Sequence, residues 1–228
     1  MNAASPLPYV ENNRFLQGVD VALVRELRER GRTISVKKAS TVYRLAEANN
    51  GLYLVVSGSV RLAIPNQSGR ELVLLHVNEG EWFGELACTD MLKRAQNAIA
   101  VVDSVLWHLP APAIEQLTAR HPIFWKFIAQ IQSDHLRRFI SYLGCLSEPT
   151  ICRTIHLLVC NAQDSSRGKV VRLPQEEMAM VLGVTRQTAS RCLQELERGN
   201  MIKRGYKEIW ILSLESLQKK YQEASEAG

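Results

Sequence analysis

The hydrophobic pattern of the chain changes period along its length, and each change marks a different kind of structure. Residues 1–13 are rich in Asn, Ala and Pro, show no periodicity and are expected to be loosely held. Val21–Arg30 is amphipathic, with Leu23, Val24 and Leu27 on one side, and predicts a short helix. Short β-like runs then follow at close intervals: Arg32–Val36, Thr41–Arg44, Gly51–Ser57, Ser59–Ile64, Glu71–Val77, Ala98–Val102 and Ser104–Leu109. Turn formers separate them at Asn49-Asn50-Gly51, Ser57-Gly58, Pro65-Asn66-Gln67-Ser68-Gly69 and Asn78-Glu79-Gly80. Many short strands with turns between them predict an antiparallel sandwich, roll or barrel.

After the strands the period lengthens. Ala111–Arg120 predicts one helix, and Pro122 opens a long one that runs to about Leu143 and stops at Gly144. On it, Ala129, Gln132, Leu136, Phe139, Leu143 and Leu146 repeat at spacings of three and four. That is a heptad seam, which predicts pairing with the same helix of a second copy; the alternative is a buried helix in a monomer. Phe124, Phe127, Ile128, Ile131 and Ile140 cover neighbouring faces and are expected to pack on the roll. Gly144–Pro149 reads as a hinge, Thr150–Ala162 as a helix with Ile151, Ile155, Leu158 and Val159 inward, and Asn161–Lys169 as a polar loop.

The most informative stretch is Gln175–Leu196. Gln175–Leu182 predicts a short helix with Met178, Ala179 and Leu182 inward. A tight turn at Gly183 leads to a second helix with Ala189, Leu193 and Leu196 on its buried face and Thr185 as its cap. Arg186, Gln187, Ser190 and Arg191 then point away from the core. This is the helix-turn-helix pattern, and the segment after it (Met201–Lys203, a turn at Gly205, Ile209–Leu212) adds a hairpin, which with Val170–Leu173 makes a wing. The outward residues suit a major groove. Arg can pair with the O6 and N7 of guanine, Gln with the N6 and N7 of adenine, and the hydroxyls of Thr185, Thr188 and Ser190 can bond phosphates.

Charge sharpens this picture. The chain carries a net +5, and the stretch Thr185–Lys207 holds six basic and two acidic residues, a local +4. Lys203 on the wing is an expected phosphate contact. With 46% apolar and 22% charged residues, the composition is that of an ordinary globular protein of two domains. There is no run of about 20 apolar residues to span a bilayer and no export signal at the start, so a cytoplasmic protein without membrane contact is expected. The cysteines, Cys88, Cys145, Cys152, Cys160 and Cys192, are odd in number and form no C-x-x-C pair, which predicts reduced thiols.

A candidate effector pocket lies at Glu79–Leu86 and the polar loop up to Arg94. Gly84 permits a backbone turn with free N–H groups, and Glu85 and Arg94 bring an acid and a base to the apolar strands. On these residues alone, a plain connecting loop with Glu85 and Arg94 paired or solvated fits equally well.

The order β-roll, long helix, winged helix, with Phe83-Gly84-Glu85-Leu86 and Leu182-Gly183-Val184-Thr185-Arg186-Gln187-Thr188-Ala189-Ser190-Arg191, resembles the family of bacterial regulators typified by the cyclic-AMP receptor protein and the anaerobic regulator of fumarate and nitrate reduction (the CRP/FNR family). The resemblance covers about Phe15 to Leu214. It implies a homodimer that binds a near-palindromic promoter duplex when a signal fixes the long helices, with RNA polymerase as a further partner. Arg186 and Arg191 match family base- and phosphate-contacting arginines, while Gln187 stands where Glu is common. Pro174 replaces the common hydroxyl cap and Gln175 a common basic contact. Gly84, Glu85 and Leu86 match the cyclic-nucleotide motif, in which Glu holds the ribose hydroxyl. The family's phosphate-binding Arg-Ser pair reads Arg94-Ala95 here, and Phe139 and Ile140 stand where the cyclic-AMP receptor has hydroxyls that meet adenine. An effector other than cyclic AMP is therefore expected. The N-terminal cysteine cluster of the iron–sulfur relatives is absent. Haem ligation by His76 or His135 is an alternative to a structural role for those histidines.

The expectation is thus an α+β chain: an N-terminal antiparallel β-roll (a double-stranded β-helix like a cyclic-nucleotide-binding domain, 1–121), a long dimerisation helix and hinge (122–146) and a C-terminal winged helix-turn-helix domain (147–228). Its cofactor is unidentified, with a small-molecule effector expected. Two other functions compete: a ligand-binding module that docks on a protein partner, and a β-roll metalloenzyme. The second needs converging ligands, but His76, His108, His121, His135 and His156 are scattered and no nucleophile–base constellation is visible, so neither catalytic nor metal residues are expected.

Overall fold

A computed structural model describes residues 21–66, 71–206 and 208–226. Residues 1–13, for which loose holding was expected, and part of the turn at Pro65–Gly69 lie outside the described residues. By packing, the chain forms two units, residues 1–137 and 138–228. The dividing point falls within the long helix.

In the first unit, α1 (Val21–Arg30) precedes β1 (Arg32–Val36), β2 (Thr41–Tyr43), β3 (Gly51–Ser57), β4 (Ser59–Pro65), β5 (Glu71–Asn78) and β6 (Trp82–Phe83). Then come α2 (Leu86–Asp90), β7 (Asn97–Ala100), β8 (Ser104–Pro110), α3 (Ala111–Arg120) and α4 (Ile123–Gly144). Two four-stranded antiparallel sheets result, in the orders β1-β8-β3-β6 and β2-β7-β4-β5. Between them Tyr43, Tyr53, Val55, Val60, Leu62, Phe83 and Leu106 form the roll interior. On the other side of the first sheet Leu52, Leu54, Val56 and Trp107 pack against α1, α3 and α4 through Leu23, Leu27, Leu117, Phe124, Phe127 and Ile131. Alternate residues of β3 therefore serve two cores, which is why that strand reads as an unbroken apolar run.

The second unit holds the end of α4, then α5 (Thr150–Cys160), β9 (Gln163–Ser165), β10 (Gly168–Val171), α6 (Gln175–Leu182), α7 (Arg186–Arg198), β11 (Ile202–Arg204), β12 (Ile209–Ile211) and α8 (Leu214–Glu226). Its antiparallel sheet runs β11-β12-β10-β9.

Several expectations are corrected. The polar stretch Asn161–Lys169 is not a plain loop, because Gln163–Ser165 pairs with Gly168–Val171. The segment after Gly80 contains a two-residue strand and a short helix. Val159 is 41% exposed and Ile140 57% exposed, so neither is a core residue. Val24 is only partly buried. The helix Leu214–Glu226 buries one residue, Leu217, and left almost no periodic signal.

Candidate nucleic-acid interface and effector pocket

The helix-turn-helix is built by its own short-range chemistry. α6 ends at Gly183, whose φ of +64° lies in the left-handed region that glycine adopts without strain. The N–H of Val184 reaches back to the carbonyl of Ala179 at 3.0 Å and closes the turn. Thr185 is extended and caps α7, its Oγ1 accepting from the N–H of Thr188 at 3.1 Å. The two hydroxyls of Thr185 and Thr188 lie 2.9 Å apart, so both are engaged at the cap. Ala189, Leu193 and Leu196 are completely buried. Against that anchored face, Arg186, Gln187 and Arg191 are exposed and Ser190 is half-buried.

Among the described residues, none is hydrogen-bonded or ion-paired to the side chains of Arg186, Gln187, Ser190 or Arg191. An arginine in a first turn faces the positive end of the helix dipole, at a cost of roughly 0.3–1 kcal/mol. Side chains kept there without internal partners, and against that cost, fit a role outside the fold.

On the wing, neighbouring basic residues part company. Lys203 is exposed, whereas Arg204 is tied to α7: Oε1 of Glu197 accepts from the Arg204 N–H at 2.8 Å, and Oε2 from its Nε at 2.6 Å. These two donors, the backbone N–H first, hold the Glu197 carboxyl below its ordinary 4.5. Arg167, on the turn of the β9–β10 hairpin, lines a cleft of about 320 Å³ with Lys203 and Trp210. Sequence reading missed Arg167 because the strand before it, Gln163-Asp164-Ser165, has no apolar alternation. Lys207 lies outside the described residues.

In the β-roll, Gly84 has φ +92°, and a Cβ there would lie 2.9 Å from Nη1 of Arg94. Glu85 and Arg94 are only 2% and 3% exposed. Arg94 is already occupied. Its Nη1 donates to the Gly84 carbonyl at 2.7 Å, and its Nη2 to the Gly51 carbonyl and to Oδ1 of Asn50, each at 2.5 Å. The guanidinium also lies 4.1 Å from the centre of the Tyr43 ring. Burial raises the phenol of Tyr43 and pushes the nearby Cys88 thiol up to about 11, so both stay protonated.

Glu85 meets the helix α4: Nδ1 of His135 lies 3.0 Å from its Oε1. One turn earlier Nε2 of Gln132 donates to Oγ1 of Thr89, on α2, at 2.8 Å. Leu86 and Ala95 are exposed, and Phe139 and Ile140 belong to the second unit. Glu85 and Arg94 thus sit in the same buried region of the first unit and each is bonded by the chain's own groups, while Oε2 of Glu85 and Nε of Arg94 are buried with no partner among the described residues. The groups they meet, Tyr43, Asn50 and His135, lie 44 to 51 residues away in sequence and were not foreseen. Among the described residues no cluster of three His, Cys, Asp or Glu could hold a metal ion.

Fold and site define the class: a DNA-binding transcription regulator whose helix-turn-helix is joined to a sensor-type β-roll. Residues 33–121 match the family model of the cyclic nucleotide-binding domain, and residues 151–220 that of the Crp-like helix-turn-helix domain. The chain belongs to the CRP/FNR family of transcription regulators. It is similar to the cyclic AMP receptor protein of Thermus thermophilus, 27% identical over 72% of this chain and 76% of that protein. It is also similar to the CRP-like cAMP-activated global transcriptional regulator of Mycobacterium tuberculosis, 24% identical over 90% of this chain and 95% of the relative. The solved structure of FixK2 from Bradyrhizobium japonicum superposes with a TM-score of 0.74 at 18% identity, over 83% of this chain and 96% of that one, and shows the shared fold. The relatives are regulators and not enzymes, and so is this chain.

Proposed function

We propose that the chain is a homodimeric, sequence-specific regulator that reads promoter DNA with α7 and answers to a signal other than cyclic AMP. One observation carries the reading of DNA: the unpartnered polar side of α7, backed by three completely buried apolar residues. Arg186 and Gln187 read bases, Arg191 and Ser190 complete the groove contact, Thr185 and Thr188 fix the helix start near a phosphate, and Lys203 neutralises backbone phosphate. The functional parts are a sensor (1–121), a dimerisation helix with hinge (122–146) and a DNA-binding domain (147–228), acting from the promoter on RNA polymerase in the cytoplasm. No helix among the described residues is long and apolar enough to cross a membrane.

Dimerisation is supported by the seam. Leu136, Leu143 and Leu146 are exposed large hydrophobics, and Trp125, four residues before Ala129 and seven before Gln132, extends the row. Four or more apolar positions at alternating three- and four-residue spacing, left to water, are what a second copy of α4 would cover. A two-fold dimer then presents two reading helices about 34 Å apart, matching a near-palindromic site.

The effector reading rests on Arg94 and Ala95. A cyclic phosphate would compete for Arg94 with two carbonyls and Asn50, which hold three of its five donors, and would find no hydroxyl at Ala95. The Mycobacterium relative is named as cAMP-activated; that property does not follow this chain where the contacting groups differ.

The test is binding-site selection from random duplexes, with and without cyclic AMP. Wild type is expected to enrich a two-fold site in both arms. Arg186→Ala is expected to lose about 1–3 kcal/mol at one base position, and Lys203→Ala to weaken all duplexes alike. Equal loss on selected and random DNA for Arg186→Ala defeats the base-reading role. Enrichment only with cyclic AMP defeats the effector reading.

A further inference from the structure

The reading helix hangs from the C-terminal end of α6, and that end is held in an unusual way. A helix leaves its last carbonyls without intrahelical donors. Here two other helices supply them. The hydroxyl of Tyr142, on the last turn of α4, donates to the carbonyl of Val181 at 2.6 Å. The guanidinium of Arg153, on α5, donates through Nη2 to the carbonyl of Leu182 at 2.5 Å. Both side chains are half-buried, and Nε of Arg153 is shut off from water with no partner among the described residues. A cation at this end also opposes the helix dipole. Only Gly183, Val184 and Thr185 separate these carbonyls from Arg186, and the turn between is closed on Ala179. Whatever fixes the end of α6 therefore fixes the first turn of α7.

We infer that Tyr142 and Arg153 are positioning residues for DNA recognition, and that Tyr142 gives the final turn of the long helix a hold on the reading helix through the end of α6. Neither side chain touches DNA. They set where Arg186 and Gln187 stand, and an induced movement of the last turn of α4 reaches the reading helix through a single hydroxyl. The inference rests on α7 being the reading helix.

The test uses the full-length chain and a duplex selected by the wild type, beside a random duplex of equal length. Tyr142→Phe keeps the ring and removes only the hydroxyl. It is expected to bind the selected duplex roughly tenfold more weakly while random-duplex affinity stays within about twofold and the salt slope is unchanged. Arg153→Gln is expected to act the same way and Arg153→Lys, which keeps the cation, to restore most of the loss. A drop in melting temperature with equal loss on both duplexes means a merely structural role and overturns the inference. So does wild-type affinity in Tyr142→Phe, a variant too mild to be lost to misfolding. A wild-type chain that selects no sequence overturns the reading of α7 itself, which tells the two failures apart.

Discussion

Replacing Arg94 by Met asks whether that guanidinium waits for a ligand or belongs to the fold. Arg94 is 3% exposed and satisfies two backbone carbonyls, Gly84 and Gly51, and Oδ1 of Asn50. Methionine fills similar volume but donates nothing. Each buried acceptor left without a donor costs about 1–3 kcal/mol, and the contact with Tyr43 is worth up to about 2 more. Removing a buried cation returns part of this, because the cost of taking its charge out of water on folding disappears. With three acceptors left without a donor and that relief subtracted, the net loss is about 3–5 kcal/mol. In a unit of this size that lowers the melting temperature by roughly 10–15 °C. Calorimetry on the chain without any nucleotide measures it. A side chain held ready for a ligand phosphate would leave the ligand-free transition within about 3 °C of wild type; that outcome refutes the structural role of Arg94 and reopens the phosphate site.

Other perturbations probe separate parts of the argument. Gly84→Ala puts a side chain at φ +92° with its Cβ 2.9 Å from Nη1 of Arg94 and 3.1 Å from the Gly51 carbonyl; urea unfolding should show a loss of about 2–3 kcal/mol. Burial holds His108 and His156 below the ordinary 6.5. The unfolded chain then takes up their protons first, so their contribution to stability is complete above pH 6.5 and is lost as pH falls below it. Denaturant midpoints measured between pH 7 and pH 5 should fall less steeply in His108→Gln combined with His156→Gln than in wild type. Leu136 and Leu143 are 58% and 47% exposed. Aspartate at both should leave the folded monomer intact, and sedimentation should then report one chain where wild type reports two.

What the sequence disclosed depended on whether an element's burial repeats with its own period. α7 was fully legible: three buried residues, a hydroxyl cap and a glycine turn are all local signals, and each is where it was expected. The strands of the roll were legible within a residue or two, except the two-residue β6 (Trp82–Phe83), too short to show any alternation. α8 was not, because its Ser, Glu and Lys residues leave a single buried position. Val159 and Ile140 fit a helical repeat yet stay exposed, since a repeat says which side a residue takes and not whether anything covers that side. The pocket was legible only as a glycine needing an unusual backbone next to an acid. Its meaning rests on Tyr43, Asn50 and His135, brought in by sheet pairing and by the return of α4, and no local pattern encodes such meetings.

The wing gives the last test, because it separates a residue that touches DNA from one that places it. Glu197 accepts two hydrogen bonds from Arg204, and so ties β11, which carries Lys203, to the helix that carries Arg186. Its side chain is one-third exposed, so water screens the pair and only part of a charged hydrogen bond's strength remains. Glu197→Ala should therefore leave the fold intact and let the wing move. Affinity is expected to fall about threefold on selected and random duplexes alike, with a shallower salt slope, because Lys203 then meets phosphate less often. Base preference should be unchanged, because α7 keeps its own cap and core. Since the carboxyl is held below its ordinary 4.5, its contribution is complete above that pH and is lost as pH falls below it. Glu197→Gln at neutral pH should accordingly reproduce the protonated state. Fluorescence anisotropy at several salt concentrations measures both quantities. A shift in preference at one base position with an unaltered salt slope would show that Glu197 acts on the reading helix and not on the wing.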